Sequence, residues 1–339
     1  YEYILPKINL LKMIDNKTKL NGDFLINSKI INKSYDTNVF ETINTNDLKF
    51  LSAPKISQNG FYNNYEFLLR NTNTNANNSK LIKNKDSGYL SGLLQFNSSL
   101  PLIKSNDDFK KLLNPKLSLK IAPEHTKNNR EADNAISIDN IYSFSRYSEP
   151  DTVEGGISLA YGTEYSIFDK QKSINILDVK IANNLRLNKN DDLPVNSQFH
   201  EQVSGFVNEI SYRPNHSLSM NYKSSIKNNF ADINYEQLIT KISINNLITS
   251  FDYYNQNEFS NKNNYISNTT TLEFDQSNSL SFSTRRNKTI NLTEYYNLAY
   301  NYKNDCLTAS IEYNKDYYSD RDIKPDEGIF LKITIVPPN

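Results

Sequence analysis

The sequence is short of several residues that usually mark function. In 339 residues there is one Cys and no Trp, with two Met, three His and nine Gly. A single cysteine excludes a disulfide closed within the chain and a cysteine-rich zinc cluster. His125, His200 and His216 share no ligand spacing with one another or with Cys306, so no metal site and no cofactor are expected. No excess of charge exists either. Lys plus Arg number 38 and Asp plus Glu number 38, which removes the broad basic field that nucleic-acid binding relies on. No apolar run approaches the roughly 18 residues of a membrane helix. Nucleophile-elbow, phosphate-loop and dinucleotide fingerprints are missing, so the residues give no support to enzyme chemistry. Gly is too sparse for a short-period repeat array, and no self-similarity at solenoid spacing is found.

What the chain has is aromatic and alternating. Tyr (23) and Phe (17) are spaced along the whole length, whereas disordered chains lack them. Asn is abundant beside Lys, Ile and Tyr, a composition that an AT-rich genome writes into tolerant positions. The chain opens on Tyr1 with no signal pattern before the first strand-like segment, Tyr3 to Leu11, and reads as a fragment that begins in mid-fold.

From Gly155 onward the apolar period is two, the strand signature. Ile157, Leu159, Tyr161, Thr163, Tyr165 and Ile167 oppose Ser158, Ala160, Gly162, Glu164 and Ser166. Leu177, Val179, Ile181, Leu185 and Leu187 oppose Asp178, Lys180, Asn184 and Arg186. The same holds for Leu218 to Tyr222, for Leu292 to Tyr302 and for Leu307 to Tyr313, and Ile329, Leu331, Ile333 and Ile335 make the last apolar face. Asp107 to Leu113 is the one short helical candidate.

Segments of about 9–12 residues, the length of a tilted membrane strand, are separated by turn clusters such as Asn188 to Asp192, Asn228-Asn229 and Asn261 to Asn264. The pairs Asp191-Asp192 and Asp326-Glu327 fall in such turns and read as solvated loops. In a soluble sandwich or β-helix the apolar faces would meet each other. In a transmembrane barrel they would meet lipid, with polar faces around a wet lumen. Charged residues in mid-strand and Tyr near strand ends favour an all-β, antiparallel transmembrane barrel. On that reading Ser158, Glu164, Thr308, Ser310 and Glu312 are candidates to line the lumen.

Two stretches go further. Tyr142 to Tyr165 carries Phe144, Arg146, Asp151, Glu154, Gly155, Gly156, Tyr161 and Gly162; Asp305 to Pro325 carries Cys306 and Asp320-Arg321-Asp322, followed by the apolar strand Gly328 to Ile335. Together with Ser98 to Ile103 and Pro115 to Pro123, they resemble the C-terminal barrel of the LptD family, the lipopolysaccharide-assembly proteins of the Gram-negative outer membrane. The resemblance spans residues 1–339 and implies that the family's N-terminal jelly-roll and first barrel strands lie outside this chain. It implies transport without covalent chemistry: lipopolysaccharide reaches the outer leaflet through the lumen and a lateral seam. One side of that seam would be Phe330, Leu331, Lys332, Ile333, Thr334, Ile335 and Val336. Implied partners are an LptE-type plug lipoprotein, the periplasmic lipopolysaccharide-bridge proteins, lipopolysaccharide itself and outer-membrane lipid. Cys306 would pair with a cysteine of the N-terminal domain; the alternative is an unpaired, buried small residue. The turn Asp151, Glu154, Gly155, Gly156 would need positive φ at its glycines and could be a simple strand entry or a ligand contact. A general porin and a secreted β-rich adhesin are the rival readings.

Overall fold

In a computed structural model, the described residues are 2–14, 20–79, 82, 84–123, 129–130, 134–147, 152–195, 197–258, 262–317 and 324–335. Among them there are 19 strands and no helix, and all the strands belong to one sheet. Every pairing whose register is described below is antiparallel. The chain divides into two compact units, 1–102 with 113–164 and 182–206, and 103–112 with 165–181 and 207–339.

The first unit contains β1 (Glu2–Ile14), β2 (Gly22–Tyr35), β3 (Val39–Ser52), β4 (Lys55–Ile56), β5 (Tyr62–Asn77) and β6 (Ser87–Ser99). After the short β7 (Leu102–Ser105), the strands β8 (Phe109–Ile121), β9 (Ile157–Asp169) and β10 (Ile174–Arg186) give residues to both units. Neighbours pair as β1–β2, β2–β3, β3–β5, β5–β6 and β6–β8. The second unit follows β11 (Phe206–Tyr212) with an unbroken meander: β12 (Leu218–Ile226), β13 (Ile233–Ile244), β14 (Leu247–Gln256), β15 (Asn263–Glu273), β16 (Asn278–Asn287), β17 (Leu292–Lys303), β18 (Leu307–Asp316) and β19 (Glu327–Ile335).

The expected helix over Asp107 to Leu113 is not there. Phe109 to Leu113 begin β8. Asn106 accepts from the Phe109 amide at 2.7 Å and donates to its carbonyl at 3.0 Å, which turns the chain into the strand. Pro115 follows closely, and the residue before a proline is driven toward extended backbone.

Alternation becomes two chemically different faces. In the second unit the partners Leu247–Leu272–Leu280–Tyr300–Ile311–Leu331 form one cross-strand row, and Thr249–Thr270–Phe282–Leu298–Tyr313–Ile329 another. In the first, Tyr65, Phe67 and Leu69 of β5 lie beside Leu94 and Phe96 of β6, with Leu117, Leu119 and Ile121 of β8 continuing the rows. These side chains are not stacked inward against a second sheet. Leu331, Ile333 and Ile335 are 67, 59 and 78 % exposed, and Leu117, Phe67 and Leu298 about 40 %.

The buried residues are instead on and over the polar face. Leu68, Thr72, Leu93, Gln95, Ser118 and Lys120 are buried on the polar side of β5, β6 and β8, together with Ile136, Ile141, Tyr147, Leu193 and Phe199 from two long connections. The core of the first unit is therefore made jointly by strand residues and by segments between strands.

Asn has a structural use that composition alone does not show. Of the six non-glycine residues at positive φ among the described residues, four are Asn: Asn38, Asn78, Asn245 and Asn291. Asn tolerates the left-handed region through its short polar side chain, and it takes positions that a glycine-poor chain cannot give to Gly. Other asparagines cap turns: Asn304 Oδ1 accepts from the amides of Cys306 and Leu307, and Asn229 Oδ1 from those of Ala231 and Asp232. Substituting Asn245→Val in the tight β13–β14 hairpin should destabilise by about 1–2 kcal/mol, with Asn245→Gly near neutral; urea titration of the two variants against the parent measures this.

Candidate functional site

The end of β8 and the starts and ends of β9 and β10 converge beneath the connections 122–156 and 187–205. Glu154, one residue before the paired glycines, sits at the centre. The Arg146 guanidinium grips its carboxylate through Nε at 2.7 Å and through Nη2. Arg186 Nη2 reaches Glu154 Oε1 at 2.5 Å, and Lys120 Nζ lies 3.8 Å from Oε2. Arg146 also donates to Asn184 Oδ1 at 2.8 Å and to Ser158 Oγ at 2.9 Å, while Arg186 Nη1 donates to the Gly155 carbonyl at 2.7 Å. All four charged side chains are at most 4 % exposed.

The local backbone explains why glycine stands there. Gly156 has φ +87°, and a Cβ at this position would come within 3.2 Å of Arg186 Nη1. The expectation of positive φ thus holds for Gly156; Gly155 is not among the positive-φ glycines and contributes its carbonyl instead.

Aromatic and amide groups seal the cluster. Phe199 packs on Tyr147 with ring centroids 4.9 Å apart and beneath the Arg146 guanidinium at 5.4 Å. Gln95 Nε2 bonds Ser118 Oγ and the Tyr142 carbonyl, both at 2.9 Å, and Arg70, paired with Asp47 at 2.6 Å, donates to the Thr152 carbonyl at 3.3 Å. On the other connection, Asn183 Nδ2 donates to the Ser204 carbonyl and Ser204 Oγ accepts from the Asn184 amide, each at 3.0 Å. Each connection is thereby bonded to strand side chains on the polar face.

Electrostatics set the charge state of Glu154. Burial pushes its carboxyl up, but the cations of Arg146, Lys120 and Arg186 and the Arg146 hydrogen bond outweigh it and hold the pKa at about 2. Burial raises the Tyr147 and Tyr142 hydroxyls, so both stay neutral. With three cations around one carboxylate, the arrangement is built to anchor the chain; nucleophile, base and oxyanion donor are not brought together.

The other sequence-derived residues fall elsewhere. Asp151 and Val336 lie outside the described residues, as do Asp320, Arg321 and Asp322. Ser158 is not open to water; it is 3 % exposed because Arg146 covers it. Glu164 pairs with Lys116 at 2.6 Å. Thr308, Ser310 and Glu312 face Thr334, Lys332 and Phe330 across the β18–β19 ladder. Lys332 Nζ bonds Glu312 at 2.6 Å, and Ser310 Oγ bonds the same carboxylate at 3.0 Å. The final strand therefore divides, with Phe330, Lys332 and Thr334 on the polar face and Leu331, Ile333 and Ile335 on the apolar one. Cys306 is exposed, in the turn between β17 and β18. This corrects the alternative of a buried small residue. The strand begins one residue later, at Leu307.

Lys120 and Arg186 were missed as cluster members because they read as ordinary polar positions of alternating strands. A signal did exist. Ile136, Ile141, Leu193 and Phe199 are apolar without period in stretches otherwise like turns, and a solvated loop has no use for them.

No family model matches this chain, and no curated protein does. Among solved structures, the siderophore receptor PirA from Acinetobacter baumannii aligns over 98 % of this chain at 8 % identity and a TM-score of 0.46. This chain spans 64 % of that structure's length.

Replacing Glu154 by Gln should cost about 3–5 kcal/mol at pH 7, because the buried guanidinium groups of Arg146 and Arg186 lose their counter-charge. Since the folded pKa lies below the 4.5 of a free carboxyl, the contribution is complete above pH 4.5 and disappears as pH falls through 2. Urea titrations at pH 7, 4 and 2.5 should show the parent and E154Q converging only at the lowest pH.

Proposed function

We propose that this chain is the C-terminal part of an outer-membrane β-barrel of the lipopolysaccharide-assembly type, acting in transport without covalent chemistry. One observation carries the membrane reading: rows of Leu, Ile, Phe and Tyr are exposed on one face of antiparallel strands whose other face holds the charges. In water such a surface would expose far more contiguous apolar area than soluble proteins tolerate. Against hydrocarbon it is the favourable arrangement.

Details of the apolar face support it. Polar atoms of Thr249, Thr270 and Asn268 on that face satisfy one another: Thr249 Oγ1 and Thr270 Oγ1 are 2.8 Å apart, and Asn268 Nδ2 reaches Thr249 Oγ1 at 3.1 Å. That is the condition lipid imposes on any polar group. Tyr253 and Tyr300 stand toward the strand ends, where their hydroxyls donate to Glu236 and to Asn278 Oδ1, as amphipathic rings do at a membrane interface.

In the second unit the connections 245–246, 274–277 and 304–306, of two to four residues, alternate with 227–232, 257–262, 288–291 and 317–326, three of which are longer. Short turns mark the periplasmic side of such barrels, which puts Cys306 in an oxidising compartment. The resemblance to the LptD family supplies its partner, a cysteine of the N-terminal domain. The polar face of β13 to β19 is rich in Ser, Thr and Asn, with Ser250, Ser267, Thr269, Ser281, Ser283, Asn297, Ser310 and Asn314. Groups of this kind exchange hydrogen bonds with a hydrated glycan at low cost, while the apolar side of β19 would face the departing acyl chains. An LptE-type lipoprotein plug, the periplasmic bridge proteins and lipopolysaccharide are the proposed partners.

The membrane reading predicts a face-dependent asymmetry. Leu298→Lys should destabilise the protein in phosphatidylcholine bilayers by about 2–4 kcal/mol, and Asn297→Lys, one residue along, by far less; equal effects would remove the membrane assignment. The transport reading is tested in the host: on depletion of the parent protein, lipopolysaccharide at the cell surface should fall, and unchanged surface lipopolysaccharide would leave a general porin.

A further inference from the structure

The apolar face of the first unit changes character along its strands. The Ile26–Leu48–Leu69 row is followed by Ser28–Asn46–Asn71, then Ile30–Asn44–Asn73–Gly88, then Asn32–Thr42–Asn75. Within six residues of one strand, Leu69 gives way to Asn71, Asn73 and Asn75. The polar side chains are organised. Ser28 Oγ donates to Asn46 Oδ1 at 2.6 Å, Asn46 Nδ2 to Asn44 Oδ1 at 3.3 Å and Asn73 Nδ2 to Asn71 Oδ1 at 2.6 Å; Asn75 Nδ2 donates to Asp86. Asn32 Oδ1 in the last row has no partner.

These side chains border a depression of about 440 Å³ lined by Thr42, Asn44, Asn73, Asn75, Asp86 and Gly88. Gly88 keeps it open, since a Cβ there would come within 2.9 Å of Asn73 Oδ1.

We propose that this depression binds the sugar headgroup of a membrane glycolipid. The inference rests on the membrane reading above, which puts Leu48, Leu69 and Leu94 against acyl chains. Three features select the ligand. Amides, the hydroxyls of Thr42, Thr74 and Ser87, and one carboxylate match the donors and acceptors of uncharged sugar hydroxyls. Among the described residues no Lys or Arg lines the depression, and the Asp86 carboxylate repels a phosphate headgroup. The polar set is continuous with apolar rows, so an occupant that is polar at one end and apolar at the other fits both surfaces at once.

The test uses the purified chain in phosphatidylcholine nanodiscs doped with equal amounts of digalactosyl diacylglycerol and phosphatidylglycerol, with retained lipid counted by native mass spectrometry. The parent should retain the galactolipid over phosphatidylglycerol by about fivefold, the worth of one or two net hydrogen bonds. The triple variant Thr42→Val, Asn73→Leu, Asn75→Leu should lose that preference, and so should Gly88→Leu, which fills the depression without removing a polar group. Equal retention of the two lipids by the parent, or a preference that survives in both variants, overturns the site. Quenching of a fluorophore at Leu298→Cys, in a chain whose exposed Cys306 is replaced (Cys306→Ser), by brominated phosphatidylcholine separates the two claims: quenching without galactolipid preference rejects the headgroup site alone, and no quenching rejects the membrane reading with it.

Discussion

Everything in this structure follows from strands that present their apolar side chains away from the rest of the protein. In a sandwich the same alternation would drive Leu, Ile and Tyr together, and burial of about 25 cal/mol per Å² of apolar surface would hold the sheets closed. Here that surface is left to the surroundings, and the protein's own interior is assembled on the opposite face. The consequence is an inversion of the usual core. Buried positions such as Thr72, Gln95, Ser118, Asn183 and Asn184 are polar, and each buried polar group raises a hydrogen-bonding demand.

The ion cluster is one answer to that demand. A strand face carrying Lys120 and Arg186 cannot be covered by an apolar layer without stranding charge. The connection 134–147 brings Arg146 and its aromatic neighbours, and Glu154 arrives at the end of the same connection to balance the cations. A buried ion pair adds little net stability compared with apolar packing. Its effect is specificity, because only one placement of the connections lets Glu154 meet Arg146, Arg186 and Lys120 together. Arg146 and Arg186 share the one carboxylate, so Glu154 is the group whose loss the cluster tolerates least.

Fold class was legible because period two survives translation into structure without correction: Ile157 against Ser158, Leu298 against Asn297 and Leu331 against Lys332 all fall as the alternation placed them. The helix at Asp107 to Leu113 was misread because a short apolar pair in a polar context has no period of its own, and the Asn106 turn and the pull of Pro115 decided it. The site was half legible. Glu154, Gly155, Gly156 and Ser158 were singled out as a turn and a lining position, but their partners Lys120 and Arg186 are about 30 residues away on either side along the chain. Sequence spacing cannot bring those charges together; the β8–β9–β10 arrangement does. The abundance of Asn was read as compositional drift, and its role at left-handed turn positions depended on backbone angles that no local pattern spells out.

The two faces also constrain what chemistry is available. A reactive constellation needs a base, an acid and a pocket that excludes water with their pKa values pushed apart. Glu154 is pushed the opposite way, ionised and saturated with donors, and so is committed to holding the connections in place. The second unit offers Ser, Thr and Asn at half-buried positions on its polar face, with isolated pairs such as Lys332–Glu312 and Arg285–Glu294. Neutral groups of that kind bind a hydroxyl-rich chain weakly at many points, and weak multi-point contact lets a long polar substrate move where one strong site would hold it. On the transport reading proposed above, apolar rows on one face and exchangeable polar groups on the other are what a conduit for an amphiphile would require. Leu331 and Lys332, adjacent in sequence and on opposite sides of one strand, carry both requirements in two residues.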